Sequence, residues 1–135
     1  MVTFLVSNLY PKVKVFKAIG DETRLKILIL LSTKNICAKG IAKHLEISEA
    51  AVSQHIKVLK EANLIIAYKN GYYVMYELNN EVLEESKNFI DILIHKDVDL
   101  ISKKYHIKIS DFSTARCKQG CKTMKGCCRK KFKEE

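Results

Sequence analysis

Four of the chain's five cysteines lie between residues 117 and 128: Cys117, Cys121, Cys127 and the adjacent Cys128. The segment has almost no apolar residues against which thiols could pack, so ligation or redox chemistry explains the cluster better than burial does. Arg116, Lys118, Lys122, Lys125, Arg129 and Lys130 surround it and favour the thiolate form. Gly120 and Gly126 allow the tight turns of a chelating loop. A trivalent arsenic or antimony ion takes three sulfurs in a pyramid, and neighbouring thiols suit it. Cadmium, lead, zinc or copper(I) could use all four, as could an iron–sulfur cluster. An adjacent pair departs from the two-to-four-residue spacing typical of structural zinc sites. A permanent structural zinc, disulfide-based sensing, and a plain basic extension that strengthens DNA binding remain the other readings.

A second constellation lies on a helix expected from Glu49 to about Ala62, with Ser48 as its N-cap. Val52, Ile56 and Leu59 share one face. Ala50, Gln54, Lys57 and Glu61 share the other, with Ser53 at its edge. Small residues near the start of such a helix let it enter a DNA major groove. There Gln54 can bond an adenine edge through two hydrogen bonds, Ser53 a base or a phosphate, and Lys57 and Lys60 phosphates. Lys39 and Lys43, on a short preceding helix, are placed to clamp phosphates. His55 lies at the core boundary and is expected to be a half-buried structural residue.

The surrounding elements must position that helix. A short amphipathic helix over Tyr10 to Ile19 carries Val13, Phe16 and Ile19 at a spacing of three. Asp21 can cap the next helix, whose apolar face is expected from Leu25, Leu28 and Leu31, with Ile29 beside. A helix from about Ala38 to Leu45 and a turn at Glu46–Ile47 precede Ser48. After the candidate reading helix come two β-rich runs, Ile65 to Lys69 and Tyr72 to Tyr76. They flank Asn70-Gly71, a pair suited to the positive φ angles of a tight hairpin turn. Lys69 and Asn70, with Tyr68 and Tyr72, would reach the DNA backbone or minor groove from this hairpin. A long helix is expected from Asn80 to about Lys104. Its apolar band (Leu83, Ile90, Ile94 and Ile101, with Val82, Phe89, Leu93 and Val98) is wide enough to suggest a partner subunit. The order of elements is that of a winged helix-turn-helix. The expected class is therefore mainly α with a small β-hairpin.

Composition agrees. At 135 residues the chain is too short for separate cofactor and substrate domains, and 47% hydrophobic residues exclude a wholly disordered chain. No apolar run approaches a membrane span, and Met1 to Tyr10 lacks the pattern of a signal peptide. A cytoplasmic, thiol-reducing location is expected, with no membrane partner. The net charge of +9 favours a polyanionic partner, and residues 111–135 carry +5 of it. Composition shifts near Ser110, which divides the chain into a folded region, 1–108, and a basic Cys-rich tail, 109–135. A thiol enzyme is the remote alternative. No Cys-x-x-Cys, Gly-rich phosphate loop or nucleophile–base set supports it.

Three strings carry a family resemblance: FKAIGDETRLKILILL from Phe16, ICAKGIAKHLEISEAAVSQHIKVLKEANLI from Ile36, and YKNGYYVMYEL from Tyr68. Together they resemble the ArsR/SmtB family of bacterial and archaeal metal-responsive repressors. The likeness runs from about Phe16 to Leu78 and more loosely to Lys104. It implies a homodimer built on the first and last helices, an inverted-repeat operator of double-stranded DNA, and release of that DNA when an inducer binds. Two of the family's inducer sites do not carry over. The arsenic string in the helix-turn-helix, laid over Cys37 to Ala42, keeps only Cys37, with Lys39 and Ala42 at the other cysteine places. Cys37 is then expected to be a small buried residue. The zinc positions of the last helix fall on Asn80, Val82, Leu93 and Lys96. Asp91 and His95 are expected to share a hydrogen bond on the helix surface. Some members that resemble this chain place a vicinal cysteine pair near the C-terminus to bind As(III), which makes As(III) the first-choice inducer for Cys117, Cys121, Cys127 and Cys128.

Overall fold

A computed structural model describes residues 9–106. The expected tail, 109–135, with Cys117, Cys121, Cys127 and Cys128, lies outside the described residues, as do residues 1–8. The chain divides into two compact units between Asp97 and Val98. In the first unit the order is α1 (Tyr10–Ile19), α2 (Glu22–Thr33), β1 (Ile36–Cys37), α3 (Ala38–Leu45), α4 (Glu49–Glu61), β2 (Ile65–Asn70), β3 (Tyr73–Leu78) and α5 (Asn80–His95). The second unit contributes α6 (Val98–Tyr105).

Capping sets the helix starts. Asp21 accepts from the Arg24 backbone N–H at 3.0 Å and opens α2. Ser48 Oγ accepts from the Ala51 N–H at 3.1 Å and opens α4. Pro11 sits in the first turn of α1, where its missing N–H is no loss. Between α3 and α4, Glu46 takes a left-handed conformation (φ 56°), and both its N–H and that of Ile47 reach the Ala42 carbonyl. That turn fixes the angle between the two helices.

The core gathers where the helices meet the sheet. Ile27 from α2, Ile41 from α3, Val52 and Leu59 from α4, and Leu64 are fully buried. The sheet adds Ile36 and Ile65, with Tyr76 and Leu78 packed against them. Gly40 lets α3 lie close on β1: a Cβ there would sit 2.6 Å from Ile36 Cγ1.

Several details differ from expectation. The hairpin gains a third strand, giving an antiparallel sheet in the order β1-β3-β2 with Ile36 opposite Tyr76. The turn sits one residue later, because Asn70 pairs with Tyr73 and leaves Gly71 and Tyr72 as the loop. Gly71 alone has positive φ, +64°, which is the II′ requirement for glycine at the first central position. On α2 the buried residues are Ile27, Leu28 and Leu31, while Leu25 and Ile29 face outward. That helix is apolar nearly all round, so periodicity could not choose its face. On α1, Val15 and Ala18 are buried, while Val13 stays exposed and Phe16 meets Phe89 of α5 at 5.7 Å. The expected long helix breaks after His95. Lys96 is left-handed (φ 54°), and the His95 ring donates to the Asp91 carbonyl at 2.7 Å, capping the helix end. The Asp91–His95 bond therefore exists, but to the carbonyl and not the carboxylate. Cys37 is half-buried at the start of α3 and not a full core residue.

Candidate nucleic-acid interface

Helix α4 has 13 residues, about 20 Å of length. Val52, Ile56 and Leu59 bury one side of it. The opposite side presents Ala50, Gln54, Lys57 and Glu61, flanked by Ser53 and Lys60, and all six are exposed. Ser48 is exposed ahead of them. Its oxygen accepts as the cap, which leaves the hydroxyl proton free to donate.

Beside α4 lies an open groove of about 350 Å³, lined by Ser53, Ile56, Lys57, Lys60, Glu61 and Tyr76. Tyr76 enters from β3, so the groove runs between α4 and the sheet. The hairpin beyond it carries Lys69 and Asn70, both exposed, and Tyr72 at its tip, fully exposed. Asn35 steadies the hairpin from the α2–β1 connection. Its Nδ2 donates to Tyr68 Oη at 2.9 Å and to Glu77 Oε2 at 3.3 Å. Lys39 and Lys43 stand exposed one turn apart on α3. The structure thus sets all ten residues singled out in the sequence (Lys39, Lys43, Ser48, Ala50, Ser53, Gln54, Lys57, Lys60, Lys69 and Asn70) on exposed positions of α3, α4 and the hairpin. Among the described residues, Lys39, Lys43, Lys57, Lys60 and Lys69 form no ion pair. Among those residues, no ion pair ties up their charges.

Behind α4 is a polar network whose role no motif in the sequence announces. Arg24 Nε donates to the Ala18 carbonyl at 2.6 Å and Nη2 to the Lys17 carbonyl at 3.3 Å. Its Nη1 lies 3.5 Å from His55 Nδ1 and 4.0 Å from Asp21 Oδ2. His55 is half-buried, as expected. The Arg24 backbone N–H, foremost, holds the Asp21 carboxyl below its ordinary range, with the Arg24 guanidinium adding to it. Arg24 and Tyr76 join the site only in the structure. The Asp-x-Thr-Arg-Leu string marks Arg24, whereas nothing in the sequence brings Tyr76 beside α4.

Among the described residues, no three His, Cys, Asp or Glu side chains cluster as a metal site, and no helix is long and apolar enough to cross a membrane.

Comparison with known proteins fits this geometry. Residues 21–67, which run from the Asp21 cap into β2, match the family described as bacterial regulatory protein, arsR family. The transcriptional repressor SdpR of Bacillus subtilis (strain 168) is 44% identical over 87 residues, covering 64% of this chain and 97% of that protein. The arsenical resistance operon repressor of Staphylococcus xylosus is 36% identical over 83 residues, 62% of this chain and 80% of that one. Among solved structures, HlyU from Vibrio cholerae N16961 superposes with a TM-score of 0.53 at 30% identity, covering 67% of this chain and 96% of that one. The chain belongs to the arsR family of bacterial regulatory proteins and is a winged helix-turn-helix transcriptional repressor, not an enzyme.

Proposed function

We propose that the protein is a homodimeric repressor that binds an inverted-repeat operator and leaves it when a thiophilic metal or metalloid, As(III) first, binds its C-terminal cysteines. The observation that carries the DNA half is the exposed face of α4, with lysines on it and beside it that form no ion pair among the described residues. In this reading Gln54 and Ser53 meet base edges, while Ser48, Lys57 and Lys60 meet phosphates and Ala50 permits close approach. Lys69 and Asn70 touch the backbone from the wing, and Lys39 and Lys43 clamp it from α3. Two such helices would enter successive major grooves about 34 Å apart.

Dimerisation is supported by the apolar surface of α1 and α5. Tyr10, Val13, Ile90, Leu93 and Ile94 are between 44% and 63% exposed in the single chain. These two helices meet through Phe16 and Phe89, and a second copy would cover the surface. The location that suits such a regulator is the cytoplasm.

For the inducer, support comes from the four clustered thiols and from relatives named for arsenical and cadmium resistance. Sulfur donors fit soft ions. A coupling of about 1–3 kcal/mol between inducer and operator is usual, and efficient release needs the upper end or more. The test is arsenite added to the reduced, DNA-bound chain. Arsenite should release the DNA near one equivalent per chain, and Cys127→Ser with Cys128→Ser should abolish release but leave DNA binding unchanged. Undiminished release from the double variant overturns the thiol assignment. Release by peroxide and not by arsenite would make the switch oxidative. A tail that holds zinc or an iron–sulfur cluster throughout would be structural.

A further inference from the structure

Helix α4 is held from behind by apolar contacts and by one directional one. Burial of Val52, Ile56 and Leu59 keeps the helix on the core, but hydrophobic contact is non-directional and tolerates rotation about the helix axis. The contact between Arg24 and His55 does not tolerate it. His55 follows Gln54 directly and flanks the core side of α4. Arg24 reaches it from α2 while bonded to the last carbonyls of α1, Lys17 and Ala18. A guanidinium has donors and no acceptor. At 3.5 Å from it, His55 Nδ1 is placed to accept.

Two charged groups face that ring nitrogen: the Arg24 guanidinium at 3.5 Å and the Asp21 carboxylate at 3.8 Å. From α1 only the Lys17 and Ala18 carbonyls join the network, through Arg24. Through Arg24 the ring ties α4 to the start of α2 and to the end of α1.

We propose that Arg24 and His55 are positioning residues for operator reading, the contact between them setting the rotation of α4 that aims Gln54 and Lys57 at the DNA. This rests on α4 being the reading helix. A change in aim affects base contacts, which require alignment, far more than phosphate contacts made by long flexible lysines. The signature is therefore lost discrimination with non-specific affinity retained.

The experiment uses the full, reduced chain and measures its affinity for operator DNA and for scrambled DNA of equal length. His55→Leu removes the acceptor. It is expected to lower operator affinity about tenfold, the scale of one hydrogen bond to a charged group, with scrambled DNA nearly unaffected. His55→Gln, which keeps an acceptor, should retain operator affinity. Arg24→Lys, which cannot hold α1 and His55 at once, should behave as His55→Leu. A folded His55→Leu that discriminates as well as wild type overturns the proposal. Where His55→Leu does not fold, His55→Gln and Arg24→Lys decide the matter, and equal discrimination by the two overturns the proposal. Failure of the wild type to prefer the operator would refute the reading-helix assignment itself and is thereby distinguishable.

Discussion

Replacing Lys57 and Lys60 with alanine isolates the electrostatic part of DNA binding. Both side chains are exposed, both line the groove beside Tyr76, and neither forms an ion pair among the described residues. Their removal thus leaves no stranded partner and little change in stability. Each lysine that neutralises a phosphate contributes about 0.9 to the slope of log K against log salt. A dimer carrying the double variant loses four such contacts, so the slope should shrink by about 3.6. Between about 50 and 200 mM salt that difference amounts to roughly a hundredfold in relative affinity. Fluorescence anisotropy on operator DNA across that range measures it. Lys87→Ala is the control: it removes the same charge from α5, where Lys87 pairs with Glu84 at 3.3 Å. The reasoning is refuted by a slope that the double variant leaves unchanged, or that Lys87→Ala reduces as much per charge.

Three further outcomes follow from the fold. Gly71→Ala should destabilise by about 1–2 kcal/mol, because φ is +64° and a Cβ meets nothing within 4 Å, so the whole effect is backbone strain; thermal melting reads it directly. Asp21 has a carboxyl lowered from its ordinary 3.8 by its capping bond, so its stabilisation is full above that value and lost as pH falls through the lowered one. Urea unfolding should therefore show a steeper acid loss for wild type than for Asp21→Asn, and parallel curves would contradict the cap's role. Ile94→Glu alters a side chain already 63% exposed, so the fold should persist while sedimentation reports a monomer and operator affinity drops; a stable dimer would remove α5 from the interface.

Much of this was legible in the residues, and the failures share a cause. Ser48 and Asp21 announced the starts of α4 and α2 because capping is local chemistry. The α4 faces were readable because Val52, Ile56 and Leu59 alternate cleanly with polar residues. On α2 and α1 the apolar residues spread around the helix, and only tertiary contact chose Ile27 over Leu25 and Val15 over Val13. The two-residue β1 is too short to show a period and exists through its pairing with β3. The helix break at Lys96 has no proline or glycine to mark it; the His95 ring and a left-handed lysine make it. At the candidate interface, the exposed residues could be named from the wheel. The groove with Tyr76 and the hold of Arg24 on His55 could not, since both join segments far apart in the chain.

The central claim is that the exposed face of α4 reads a DNA sequence. The most direct measurement is the affinity of the reduced chain for DNA from its own upstream region against scrambled DNA, with wild type and Gln54→Ala compared at one salt concentration. The account predicts a wild-type preference of about a thousandfold or more, and a loss of about tenfold or more of it in Gln54→Ala with scrambled-DNA affinity unchanged. Equal affinity of the wild type for both DNAs, or a preference that Gln54→Ala leaves intact, would contradict it.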